Sequence, residues 1–290
     1  MDYIIKSTDM SFSISRIGAQ LISAKGSDGY EYMWKRDPRV WRNCAPVLFP
    51  ICGQIRNAKY LYKDRTYEMR AHGFFYSSEP SVLEHGKDHI SFLLTESEST
   101  LSQYPFSFSI KITFTAKGNA LAVNTTVKNT GDEVMPFMYG AHPGFALPMS
   151  EDTVLSDYYV DFGCESIDLY QLIPDLPFVY KDPVNYPLSA GKLELTKTKL
   201  DEARTFLFGK TLGFAKLTSS KTSRAVTVTY PDFSYLGIWQ DVKENSDFLC
   251  LEPWSGLPYG DDPENFETRE SMERLAPKAE KSFEYTVYFE

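Results

Sequence analysis

Apolar and polar side chains alternate with a period of two along much of this chain. In Ser11–Ser15, Phe12 and Ile14 share one face and three serines the other. Phe106–Thr115 keeps the same alternation for ten residues, and Leu121–Val127 resumes it after a Lys117-Gly118-Asn119 turn. Ala225–Tyr230 and Phe283–Phe289 repeat it near the C-terminus. Period-two runs of β-branched and aromatic residues predict half-buried strands. Turn signals such as Asp28-Gly29 and Asn129-Thr130-Gly131-Asp132 separate them. Helical patterning is scarce, and only Asp261–Arg274 predicts a short, mostly polar helical turn or two. Strands do not alternate with helices, which disfavours a parallel α/β fold. The prediction is an all-β chain, one large antiparallel β-sandwich spanning residues 1–290. Residues 170–200 are Pro-rich and irregular, and read as an excursion within that domain, over a site, rather than a boundary.

Composition narrows the function classes. The 290 residues are 42% hydrophobic and 15% aromatic, enough for a large core. A net charge of −9 disfavours a binder of nucleic-acid backbones. Cys44, Cys52, Cys164 and Cys250 form no close pair, which argues against a disulfide framework or a structural zinc site. The first residues show no signal peptide, and no apolar run is long enough to span a bilayer. The expectation is a cytoplasmic protein with neither nucleic-acid nor membrane partners. Neither GxGxxG nor GxxxxGK[ST] occurs, so no nucleotide cofactor is expected.

Four segments set polar groups among apolar ones. Arg56 follows the run PVLFPICGQI, and His72 precedes Gly73-Phe74-Phe75. His142 lies in YGAHPGFALP, where Pro143 stops a strand ladder and Gly144 permits close approach. Glu252 ends the run Phe248-Leu249-Cys250-Leu251 and precedes Pro253-Trp254. Each has a plain structural reading: a histidine bonded to backbone, an arginine in a surface ion pair. Glu252 stands out, because a glutamate at the end of an apolar run is desolvated and its pKa rises toward that of a useful base.

Taken together, and in this order and spacing, these segments resemble the aldose 1-epimerase (galactose mutarotase) family, in particular its LacX-like branch. Gly18-Ala19-Gln20-Leu21, Tyr32-Met33-Trp34, Pro46–Pro50, Gly53–Asn57, His72-Gly73-Phe74, Gly140–Phe145, Cys250–Trp254 and Leu275-Ala276-Pro277 carry the resemblance over nearly the whole chain. It implies a supersandwich of galactose mutarotase type and interconversion of the α and β anomers of a hexose, without metal or cofactor. It places the general base on Glu252, the general acid on His142, a second active-site histidine on His72 and the sugar-contacting arginine on Arg56. The family's aspartate on a sugar hydroxyl matches poorly, Asp201 being the nearest candidate, and Trp254 could pack on a sugar face.

Anomerisation needs a proton taken from the anomeric hydroxyl and one given to the ring oxygen, which a carboxylate and an imidazolium on opposite sides of the sugar could supply. A histidine beside a carboxylate is expected to be held charged. Two other readings remain. Lys59, Lys63, Arg65 and Arg70 could hold a phosphate, making the protein a hexose-6-phosphate mutarotase. Alternatively, the sandwich could be a non-catalytic carbohydrate-binding protein. A homodimer is compatible with the sequence, which carries no signal of assembly state.

Overall fold

A computed structural model describes residues 2–209, 211–242, 246–261 and 264–290. The alternating segments become strands of two large sheets. The nine-stranded sheet runs, edge to edge, Lys192–Glu194, Tyr158–Asp161, Phe214–Ser219, Val226–Thr229, Glu280–Phe289, Ala120–Asn129, Phe108–Lys117, His89–Thr95 and Ser81–His85. Within it, two ten-residue strands joined at Gly118-Asn119 form a hairpin, antiparallel in register from Lys117↔Ala120 to Phe108↔Asn129. On the first of these, Phe108, Ile110, Ile112, Phe114 and Ala116 are buried while the residues between them are not. Burying each large side chain stabilises the fold by about 1.5–3 kcal/mol.

The second sheet has eight strands. Val184–Pro187, Ser166–Leu169, Thr205–Phe208, Tyr235–Trp239, Phe248–Trp254, Gly140–Ala141 and Val47–Leu48 follow one another, and Gly144–Ala146 also pairs with Phe248–Trp254. Aromatic contacts link the two sheets, Phe145 to Phe289 at 6.4 Å between centroids and Phe162 to Phe208 at 5.3 Å. The chain is thus an all-β sandwich of large antiparallel sheets, as its alternation predicts.

Phe248–Trp254 is buried at every position. Leu249 and Leu251 point to one face, and Phe248, Cys250, Glu252 and Trp254 to the other. A strand covered on both faces loses the polar half of its alternation. Here the second cover is a set of loops, including part of the Pro-rich excursion.

The predicted helical turns in Asp261–Arg274 are not present. Residues 262 and 263 lie outside the described residues, and the rest of the segment forms turns, a bridge and the start of the strand Glu273–Leu275. Two of its charged residues, Glu264 and Arg269, are buried against each other, which fixes an irregular path. Among the described residues the α-helices are instead Glu98–Leu101 and Lys197–Ala203, capped by Ser97 and Thr196. Among the described residues no helix is long and apolar enough to cross a membrane.

Candidate active site

Strand register builds the centre of the site. Gly140 pairs with Trp254, and Gly144 with Cys250. Counting inward from both ends puts His142 directly opposite Glu252, as cross-strand neighbours on one face. Pro143 has no N–H, and its carbonyl accepts from Leu251 N at 3.2 Å. The ladder opens there and the imidazole leans out over the sheet. His142 Nε2 lies 3.2 Å from Glu252 Oε2, with the two side chains 8% and 1% exposed.

The neighbouring strand makes room for this pair. Gly237 is opposite Glu252, and a Cβ there would come within 3.2 Å of the Glu252 Cβ and 3.5 Å of its carboxyl carbon. Trp239, on the same strand, meets the His142 ring edge-on at 5.4 Å. Trp41 lies over the ring at 5.0 Å, and His72 meets it edge-on at 5.4 Å. Three rings therefore enclose the imidazole.

His72 is brought in by two stitched loops. Its backbone N–H donates to Gly53 O at 2.7 Å, and Gly53 N–H donates back to His72 Nδ1 at 3.2 Å. The second bond leaves the proton of the neutral ring on Nε2. His72 has φ +62° and Gly73 φ +73°. A Cβ at residue 73 would lie 2.1 Å from Phe49 O, so that glycine is obligatory. Protein surrounds His72 on most sides, although part of its ring stays open to the cavity, and this enclosure lowers its pKa to about 4.

Burial acts oppositely on the two central groups. It raises the Glu252 carboxyl well above the ordinary range, against a weaker pull from the Trp254 indole, which does not reach hydrogen-bond geometry. It lowers the His142 imidazole well below its ordinary value, assisted by repulsion from His72. The expectation that His142 is held charged by its neighbour is corrected: desolvation, with His72 acting in the same direction, favours the neutral ring. The placement of acid and base on opposite sides of a sugar is corrected too, since the two are in contact on one wall. The arrangement is a pair sharing one proton, with Glu252 Oε1 and His142 Nδ1 buried and lacking partners.

The pair opens into a cavity of about 450 Å³. His72 and Trp254 also line it, as do Leu172, Leu176 and Pro177 from the Pro-rich excursion. Other expected contacts fall elsewhere. Arg56 lies on the wall of an adjoining cavity, where its guanidinium donates to Gly260 O at 2.9 Å and packs on Phe178. Gln54, two residues earlier, faces the main cavity. Asp201 is an exposed helix residue paired with Lys197, and the aspartate on the cavity wall is Asp241. Arg204, just past that helix, lines the cavity and is the one arginine there among the described residues. Lys59, Lys63, Arg65 and Arg70 do not line it. Lys59 is 3.9 Å from Glu68 and Lys63 bonds Glu133.

With this geometry in place, the comparisons are decisive about lineage. Residues 1–260 match the family model for aldose 1-epimerase. The chain belongs to the aldose 1-epimerase family. It is 28% identical to the plasmid-encoded protein LacX of Lactococcus lactis subsp. lactis, over 98% of each chain. A galactose mutarotase related enzyme from Lactobacillus acidophilus superposes with a TM-score of 0.94 at 30% identity, covering 100% of this chain and 97% of that one. A galactose mutarotase-like protein from Lactobacillus casei gives 0.92 at 26% identity, covering all of both chains.

Proposed function

We propose that the protein is an aldose 1-epimerase that interconverts the α and β anomers of a hexose by general acid–base ring opening and closure. The observation that carries this reading is the buried Nε2···Oε2 contact of 3.2 Å, set on the wall of a sugar-sized cavity. In the ion-pair form of the pair, the less populated of its two charge states, Glu252 as carboxylate takes the proton of the anomeric hydroxyl while His142 as imidazolium gives its proton to the ring oxygen. The C1–O5 bond breaks and a C=O bond forms at C1. Rotation about C1–C2 presents the other face, and reversal of both transfers closes the ring. The open-chain stage leaves a neutral carboxylic acid beside a neutral imidazole. Burial favours that charge state, so enclosure brings the proton affinities of the two groups together.

His72 offers Nε2–H to a sugar oxygen, and Gln54, Arg204 and Asp241 stand where hydroxyls would be fixed. Among the described residues the cavity wall carries one arginine and no lysine, which favours a neutral hexose over its 6-phosphate. The test is anomer equilibration of a panel of aldoses and their 6-phosphates, followed by polarimetry, with sugar binding measured by calorimetry. Accelerated equilibration of a free hexose is expected. Binding without acceleration would contradict the proposal and leave a carbohydrate-binding protein.

A further inference from the structure

Cys250 takes no part in the proton transfers above, yet it sits beside them. It stands two residues before Glu252 on the same face of the strand and is fully buried. A Cβ placed on Gly144 would lie 3.3 Å from Cys250 Sγ, so the thiol points toward the segment that carries His142. One donor atom from each of His142, Cys250 and Glu252 lies within 4.8 Å of the other two. Independently, His142 Nδ1 and Glu252 Oε1 are buried with no hydrogen-bond partner.

We propose that a borderline-soft divalent cation of the Zn²⁺ class binds His142, Cys250 and Glu252 at the cavity floor and silences the acid–base pair. Thiolate, imidazole and carboxylate are the three ligand types that zinc accepts together, and a fourth position would face the cavity. Tetrahedral ligation needs donor separations of about 3.3–3.8 Å, so side-chain shifts of about 1 Å close the set. Charge balance favours the exchange. The pair gives up its one shared proton and Cys250 its thiol proton, both to solvent. The metal–oxygen and metal–sulfur bonds replace them, and the net charge of the buried site is unchanged. Hard cations that prefer all-oxygen shells, Mg²⁺ and Ca²⁺, gain nothing from the sulfur. The silencing rests on the anomerase reading, whereas the metal binding does not.

The experiment titrates the reduced full-length protein with Co²⁺ and follows thiolate-to-metal charge-transfer absorption, then repeats hexose anomerisation with Zn²⁺ present. A band saturating near one equivalent, removed by Zn²⁺, is expected, together with inhibition that a chelator reverses. Cys250→Ala should abolish the band and weaken Zn²⁺ inhibition at least tenfold. Cys250→Ser should behave the same way and is the alternative if alanine impairs folding. No band in the wild-type protein, a band that survives in Cys250→Ala, or Zn²⁺ inhibition of unchanged strength in that variant would overturn the proposal. A Cys250-dependent band in a protein that accelerates no aldose would support the metal site and overturn the silencing.

Discussion

Among the described residues two acid–base pairs are buried, Glu264 with Arg269 and Glu252 with His142, and they are built to opposite ends. Glu264 and Arg269 are fully enclosed, and the arginine also donates to Leu257 O, Tyr259 O and Ser271 Oγ. Glu264 Oε1 in turn accepts from Arg56 N–H at 3.4 Å. Most of the polar groups of this pair are spoken for, and the pair staples the loop that carries Pro258 to the cavity wall. His142 and Glu252 are buried almost as deeply, yet each keeps an atom with no partner. A satisfied buried pair fixes a structure, and an unsatisfied one stores the capacity to bind and move protons.

Several substitutions would break or sharpen that contrast. Arg269→Met leaves a buried carboxylate unpaired, so it should lower stability by about 3–5 kcal/mol in chemical denaturation, while the folded fraction keeps its anomerase rate within a few-fold. His142→Asn should do the reverse, lowering kcat about 10²–10⁴-fold by polarimetry with a small change in melting temperature. A loss under tenfold would remove His142 as the acid. Gly237→Ala pushes on the Glu252 side chain and should lower kcat about tenfold, a positioning effect expected from displacements well under 1 Å. If kcat is unchanged, the close approach of the two strands does not set the carboxyl. Gln54→Ala should raise KM about three- to tenfold, the worth of one hydrogen bond, while Arg56→Ala changes it less. The reverse ranking would return Arg56 to the sugar site.

The pH dependence of stability provides a further check. The pKa of His72 is near 4 in the fold, below its ordinary 6.5, so the unfolded chain binds more protons between those values. The contribution of His72 to stability should therefore fall as pH drops from about 6.5 to about 4 and hold steady above that window, while Glu264, raised to about 7 in the fold, contributes the opposite slope between about 4.5 and 7. His72→Gln should remove the first contribution alone, so that the variant loses less stability, or gains more, than the wild type between pH 7 and pH 4.5 in urea midpoints. An unaltered slope would show that His72 is not the group responsible.

The fold was legible because half-buried strands write their period into the sequence, as Phe108–Lys117 does. Glu252 and His142 were legible because polar groups inside apolar runs are costly and so conspicuous. Their contact was not, since the register that sets His142 against Glu252 depends on the flanking pairs Gly140↔Trp254 and Gly144↔Cys250. The direction of the His142 shift was missed because it follows from Trp41, Trp239 and His72, which are distant in sequence. Arg56 and Asp201 misled for a related reason. Residue type suggests a sugar contact, but only the path of the chain shows that Gln54, Arg204 and Asp241 reach the cavity. The short helices went unnoticed because each spans two turns or fewer, where a cap such as Ser97 or Thr196 is the main signal.

The most direct test replaces Glu252 with glutamine, which keeps the shape of the side chain and removes its ability to take a proton. Anomer exchange of the preferred hexose, measured by exchange NMR, should fall about 10²–10⁴-fold while sugar affinity by calorimetry stays within a few-fold. A glutamine variant that still exchanges anomers at close to the wild-type rate would contradict the account.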